Sequence, residues 1–169
     1  GEKMTAKDVL YSLKRATGPE GVKVSYIMSA IDYENCEMVN DYDIIIATHQ
    51  PFAPLIGYLP YIGAVVVSEK EFTTNPEQAA LHPVGTGPFK FVSWSKNDRC
   101  VYERNDTYWG EKPKYKNLII RTIVESNSRV IELESGNIDI AMDIPAHDVA
   151  ALEQNPETKI LRKNSTVVE

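Results

Sequence analysis

The fold of this chain is decided by residues 85–142, which read GTGPFKFVSWSKNDRCVYERNDTYWGEKPKYKNLIIRTIVESNSRVIELESGNIDIAM. Residues 89–104 alternate around a polar turn, which predicts a β-hairpin. Leu118–Val124 is nearly all apolar and rich in β-branched residues, which predicts a strand covered on both faces. Residues 126–136 predict a helix that a glycine ends, and Ile138–Met142 predicts a second strand. Strand, helix and strand in so few residues predict a βαβ unit with parallel strands.

The segment after Met142 continues this order of elements. Pro145 stands near the start of a helix that ends at Asn155–Pro156, and residues 158–162 predict a third strand. Residues 118–163 therefore predict a βαβαβ unit, which is half of an open doubly wound sheet.

The N-terminal half carries shorter elements. Thr5 to Asp8 form a capping box for a helix that Gly18–Pro19 ends. Two strands are predicted around a polar turn, the second buried on both faces at Ile44–Ile46. The other predicted elements are short helices within 52–59 and 76–81 and a strand within 63–68. The composition changes after residue 84, where we expect a subdomain boundary.

The composition is that of an ordinary globular protein. The chain has 169 residues, of which 43% are hydrophobic and 25% charged, with a formal net charge of −6. That length suffices for one large domain or two small ones. No apolar run is long enough to cross a membrane, and no signal peptide or lipidation motif is present. The acidic balance and the lack of a basic stripe argue against nucleic acid as a partner.

Three motifs carry a resemblance to a known family. GTGPF at residues 85–89, ERNDTYWGEKPK at 103–114 and SRVIELESGNIDIA at 128–141 resemble the extracytoplasmic solute-binding proteins of ABC importers. The resemblance is to the class that takes up dipeptides, oligopeptides and nickel. Proteins of this class are several times longer, so we expect this chain to be an internal segment of one.

The resemblance implies a fold and a function. The fold class is α/β, a type II periplasmic-binding-protein-like fragment with a mixed sheet, in which the βαβαβ unit fills the C-terminal half. Residues 1–84 would belong to a small side subdomain of α+β type, and residues 85–169 to the large ligand-binding lobe. The implied function is binding of a peptide and its delivery to an ABC permease, without catalysis or a cofactor. The parent would be periplasmic or a lipid-anchored protein of the cell surface, reaching the membrane only through its anchor or permease.

A ligand site is expected at the carboxyl ends of the predicted parallel strands, where loops and helix N-termini converge. That rule selects Ser126–Asn127, residues 142–144 and residues 164–166, and the resemblance favours the last two groups. The predicted ligand-binding residues are Met142, Asp143, Ile144, Asn164, Ser165 and Thr166. Three alternatives stay open: Asp143 as a helix N-cap, Met142 as a core residue, and Asn164–Ser165 as an ordinary turn or strand end.

Other motifs receive simpler interpretations. Gly85–Thr86–Gly87 lacks the third glycine and the following helix of a dinucleotide-binding loop, so it predicts a turn that leads into a strand. Tyr108–Trp109 suggests packing more than ligand stacking. Arg129 is expected to be structural, pairing with Glu125 or the sheet end.

The sequence also bears on nickel binding and on hydrolysis. His49, His82 and His147 have no partner at metal-ligand spacing, so a nickel site would be held largely outside this chain. A hydrolase needs two converging carboxylates, and only Asp143 stands at a predicted strand end. Cys36 and Cys100 are interpreted as two separate thiols, with a disulfide left open. Strands cut at the ends of the segment are expected to leave open edges that favour dimerisation.

Overall fold

The computed structural model describes residues 2–19, 28–60 and 65–163. The chain divides into two compact units. One comprises Gly1–Trp94 and Cys100–Ile119, and the other comprises Ser95–Arg99 and Ile120–Glu169. The predicted boundary near residue 84 concerns subdomains of a longer protein and stays a prediction.

The described residues form short helices and strands. The helices are α1 (Ala6–Thr17), α2 (Leu55–Tyr58), α3 (Glu69–Thr74), α4 (Pro76–Leu81), α5 (Ser126–Glu134) and α6 (Ala146–Gln154), with a 3-10 turn at Tyr33–Asn35. The strands are β1 (Glu37–Met38), β2 (Ile44–Ile45), β3 (Phe89–Ser95), β4 (Arg99–Arg104) and β5 (Asn117–Arg121).

Helix α1 begins where the capping residues predict. The Asp8 carboxylate accepts the Thr5 backbone N–H at 2.9 Å and so satisfies a donor that the helix start leaves free. The same carboxylate also accepts the Glu69 backbone N–H at 3.0 Å, across 61 residues of chain. A single side chain therefore caps α1 and ties it to the start of α3.

A buried serine makes a second tie at the same place. The Ser12 hydroxyl donates to the Asp8 carbonyl oxygen at 2.7 Å and accepts the Val67 backbone N–H at 2.9 Å. Residues 65–68, the described part of the strand predicted within 63–68, are not a strand, and the Val67 backbone N–H bonds this side chain of α1 instead of a neighbouring strand. Ser68 caps α3, a helix that the sequence pattern did not predict, by accepting the Glu71 backbone N–H.

The Asp8 contacts make the stability of the chain depend on pH. Burial by itself raises the pKa of the Asp8 carboxyl, but the N–H groups of Thr5 and Glu69 outweigh burial and lower the pKa below its ordinary value. Because the pKa is lower in the folded state, the contribution of the Asp8 carboxylate to stability is complete above about pH 4 and is lost as the pH falls through the folded pKa.

We expect Asp8→Asn to lower Tm at neutral pH, and we expect the difference in Tm from the unmutated chain to disappear in acid. Thermal unfolding followed by circular dichroism from neutral pH to about pH 3 measures it. A gap of constant size would contradict the expected role of the carboxylate.

The core of the first unit lies under α1. Its buried side chains are Leu13, Ala16, Met28 and Ile31, with Val9, Tyr33, Cys36, Ile44, Ile46 and Leu55 packed against them. The stripe of apolar residues that predicted α1 therefore faces this core.

Strands β1 and β2 form an antiparallel pair with Glu37 opposite Ile45. The Asn40 side-chain oxygen accepts the backbone N–H groups of Tyr42 and Asp43 at 2.9 and 3.0 Å, which explains the turn. The two strands are shorter than predicted, and burial of Ile44–Ile46 on both faces is wrong because the Ile45 side chain is exposed. The described residues add no third strand to this pair.

The predicted hairpin is confirmed. Strands β3 and β4 are joined by a turn in which Asn97 has φ 62°, a left-handed conformation that asparagine adopts readily. The sheet order is β3-β4-β5. Strand β5 runs antiparallel to β4. The Arg104 N–H donates to the Lys116 oxygen and the Thr122 N–H to the Asp98 oxygen, each at 2.7 Å, so residue numbers rise along one strand as they fall along the other.

The parallel βαβαβ unit does not form within residues 65–163. Both of its helices are present as α5 and α6, and Gly136 with φ 70° ends α5 as predicted. Residues 138–142 and 158–162, however, are not strands, and Ile140 and Met142 are 81% and 74% exposed. Leu118–Val124 is not covered on both faces either, because Ile119, Ile120 and Val124 are exposed. A strand needs a neighbouring strand to pair with, and residues 138–142 and 158–162 have none among the described residues.

Candidate functional site

Arg129 organises the region around the predicted ligand-binding residues. It lies in the first half of α5, and one guanidinium nitrogen, Nη1, donates to the backbone oxygens of Ile123 and Val124 at 2.8 and 3.2 Å. The other, Nη2, donates to the backbone oxygen of Asp143 at 2.9 Å. Arg129 thus joins the segment that follows β5 to the turn that precedes α6, all within the second unit.

Residues 142 and 143 of the predicted site are exposed. Asp143 has φ 55°, a conformation that few residues other than glycine, asparagine and aspartate adopt, and its side chain is exposed. Met142 is exposed as well, which excludes the core role considered for it within this chain. Ile144 is half-buried.

Asp143 does not cap α6. Pro145 occupies the N-cap position of that helix, and no side chain makes a capping hydrogen bond there. The alternative assignment of Asp143 as a helix cap is therefore wrong, and its carboxylate remains exposed.

The remaining predicted positions divide into two groups. Asn164, Ser165 and Thr166 lie outside the described residues. Ser126–Asn127 forms the first turn of α5, whose N-cap is Glu125, so Ser126 is not the cap. Arg129 thus connects the end of the first predicted strand with residue 143. The third predicted segment, residues 164–166, stays a prediction.

The role of Arg129 was predicted only in part. Contact with the sheet end is confirmed by its bonds to Ile123 and Val124. The bond to Asp143, 14 residues away, was missed, because nothing in the spacing of these residues indicates which carbonyl the guanidinium reaches. The Nε of Arg129 is buried and makes no hydrogen bond with the described residues.

A histidine and an aspartate flank the site at the start of α6. The Nε2 of His147 lies 3.3 Å from the Asp148 Oδ2, an ion pair when the imidazole is protonated. That Oδ2 is buried and makes no other hydrogen bond with the described residues.

The glycine motif behaves as a turn that leads into a strand. The Asn105 side chain donates to the Gly87 backbone oxygen at 3.0 Å, and the Asn105 backbone N–H donates to Pro88 at 2.8 Å. Asn105 is itself buried, so this bond pair fixes the entry to β3. The interpretation of residues 85–87 as a turn is confirmed.

The aromatic pair is only partly packed. The rings of Tyr108 and Trp109 lie 5.1 Å apart, and Tyr108 lies against Gly110, where a Cβ would come within 2.8 Å of the ring. Trp109 is 81% exposed, so the packing role predicted for it is not seen within this chain.

Metal-ligating and thiol groups are scattered. Over residues 2–19, 28–60 and 65–163, no three His, Cys, Asp or Glu side chains cluster as a metal site requires. Cys36 and Cys100 are both free thiols. None of the helices in these ranges combines the length and apolar character needed to cross a membrane.

Comparison with known proteins matches the chain to one family. Residues 1–169 match the model of the family described as bacterial extracellular solute-binding proteins, family 5 Middle. The glutathione-binding protein GsiB of Pectobacterium atrosepticum is 30% identical over 167 residues, which cover 98% of this chain and 32% of that protein.

Solved structures share the fold. The ABC transporter-associated periplasmic binding protein DppA of Helicobacter pylori, in complex with the peptide STSA, gives a TM-score of 0.81 at 28% identity, covering 92% of this chain and 33% of that one. A nickel ABC transporter protein of Bacillus halodurans gives 0.79 at 28% identity, covering 92% and 31%. The chain spans about a third of the length of each of these relatives. The predicted type II binding-protein fold class is thereby confirmed.

Proposed function

This chain belongs to family 5 of the bacterial extracellular solute-binding proteins, and from that premise we propose that it is part of a longer protein that binds a peptide and delivers it to the permease of an ABC importer. The observation that carries the proposal is the likeness of the whole chain to a glutathione-binding protein and to a peptide-bound periplasmic protein. Glutathione and the peptide STSA both contain peptide bonds. Their N–H groups can donate to carboxylates and to backbone oxygens, and their C=O groups can accept from backbone N–H groups.

The proposed mechanism is reversible binding without catalysis. Residues 1–84 form part of a side subdomain and residues 85–169 part of one lobe, and the peptide binds in the cleft that this lobe shares with a second lobe of the parent. Closure of the lobes on the peptide shifts the population toward the form that the permease recognises. Main-chain hydrogen bonds supply the affinity, and water-filled pockets admit different side chains.

The site proposed in this chain is residues 142–144 together with residues 164–166. Asp143 is the central group, because its exposed carboxylate can pair with the amino terminus or a backbone N–H of a peptide. Its exposure and the loss of the helix-cap alternative support this role.

The proposed location is extracytoplasmic. The family is described as extracellular, and the parent is proposed to reside in the periplasm or at the cell surface through a lipid anchor. It has no nucleic-acid partner in this proposal, and it reaches the membrane through its anchor or its permease.

A nickel chelate is the second candidate ligand. The likeness to the nickel ABC transporter protein of Bacillus halodurans favours it. Since the described residues hold no cluster of three ligating side chains, such a chelate would be bound mainly by other parts of the parent.

Mass spectrometry of ligands that co-purify with the full-length parent tests the proposal. The expected result is one or more short peptides, which stabilise the ligand-free parent when they are added back. Recovery of a nickel complex, with stabilisation by that complex alone, would replace the peptide proposal by the second candidate. Release of cleaved peptide products would contradict the absence of catalysis.

A further inference from the structure

The guanidinium of Arg129 bonds the main chain at Asp143. Its two terminal nitrogens lie in one plane and donate to three backbone oxygens, of Ile123, Val124 and Asp143, at 2.8, 3.2 and 2.9 Å. A planar fork of donors fixes the direction of each bond as well as its length. The position of the Asp143 carbonyl is therefore set relative to the segment that follows β5.

The conformation of Asp143 gives this bond a second effect. At φ 55°, residue 143 occupies a narrow left-handed region of backbone conformation, and a shift out of it would redirect the side chain. A bond to the carbonyl of the same residue holds it in that region. The exposed carboxylate consequently projects from main chain that is held in place.

The three bonds of Arg129 all go to backbone oxygens. Its Nε is buried and makes no hydrogen bond with the described residues, so the contacts of this guanidinium that the structure describes serve to hold main chain.

The geometry points to Arg129 as a positioning residue of the peptide site, which acts through Asp143 and does not touch the ligand. This inference rests on the proposed function, because it supposes that the Asp143 carboxylate binds the solute. It adds a residue to that site and explains how a segment that is not a strand presents its carboxylate in one direction.

The test compares peptide affinity in the full-length parent with Arg129→Lys, by calorimetry with a peptide identified in the co-purification experiment. Lysine keeps the charge but offers a single nitrogen in place of a fork. We expect affinity to fall by on the order of tenfold, the lower end of the loss seen when a hydrogen-bond partner that orients a metal ligand is removed. Arg121→Lys is the matched control, since Arg121 lies in the same unit and bonds the Glu132 side chain at 2.8 Å. It should leave affinity unchanged.

A double-mutant cycle separates positioning from general support of the fold. In an Asp143→Asn parent, which keeps a residue suited to the left-handed conformation but removes the charge, Arg129→Lys should change the remaining affinity by less than about twofold, because the charge it positions is gone. Its effect on Tm should be the same in both backgrounds. In the Arg129→Lys parent, hydrogen exchange should rise over residues 140–144 and stay level in α6.

The outcomes distinguish this inference from the proposed function. If Asp143→Asn lowers affinity but Arg129→Lys leaves it unchanged, or lowers it equally in both backgrounds, positioning is excluded and the proposed site stands. If Asp143→Asn has no effect, the site itself is wrong, and the inference with it. A parent that binds no peptide overturns both.

Discussion

Leu152→Ala is expected to lower the free energy of unfolding by about 2–5 kcal/mol, the usual cost of removing a fully buried leucine side chain. Leu152 is 0% exposed, and in the described part of the second unit the only other buried apolar side chain is Val130. Small proteins are stable by about 5–15 kcal/mol in total, so a loss of this size removes much of what holds such a unit together.

Urea unfolding of the 169-residue chain, followed by far-ultraviolet circular dichroism, measures the effect. Ile131→Ala in α5 is the matched control, because Ile131 lies in the same unit but is 62% exposed. The control should change stability by no more than about 0.5 kcal/mol. If the two variants lose similar amounts, Leu152 is not the centre of this unit.

Short peptides are expected to stabilise the full-length parent and to leave the isolated 169-residue chain unchanged. At a peptide concentration of about 100 times Kd, ligand binding to the folded state alone adds about 2.7 kcal/mol. The isolated chain spans about a third of the length of its relatives, and under the proposed function it supplies only one wall of the cleft.

Thermal unfolding of both proteins across a peptide concentration series checks this result. The peptides are those recovered with the parent, and a nickel–histidine complex serves as the comparison ligand. Micromolar peptide binding by the 169 residues alone would contradict the proposal that the cleft needs both lobes.

Elements set by local interactions were predictable from the sequence. The Thr5–Asp8 pair marks the start of α1, because the Asp8 side chain satisfies a backbone N–H of the first turn. Gly136 marks the end of α5, because glycine readily adopts the positive φ found there. The turn at Asn97 follows the same logic. These signals act over three or four residues, so they hold whatever surrounds them.

Elements that depend on distant partners were not predictable. Residues 138–142 alternate as a strand would. Alternation shows only which side chains are apolar enough to be buried, and it does not show whether a neighbouring strand is present to pair with. Helix α3 was missed for a similar reason. Its start depends on Ser68 and on the bond between Glu69 and Asp8, which lies 61 residues away.

The candidate site shows the same limit. The sequence located Asp143 at a position that proves exposed, and it assigned Arg129 to Glu125 or the sheet end, of which the second is observed. It did not connect the two, because a guanidinium can reach any carbonyl within its span and only the fold selects one.

Strand β5 has a practical consequence for work on the isolated chain. It lies at one edge of its sheet with Ile119 and Ile120 exposed, so its outer side is a template on which another copy can assemble. Charged residues beside such a strand act as gatekeepers against aggregation. The charge of Arg121 is already neutralised by Glu132 at 2.8 Å. Handling should therefore favour dilute samples, and a second charge placed at residue 119 would improve solubility.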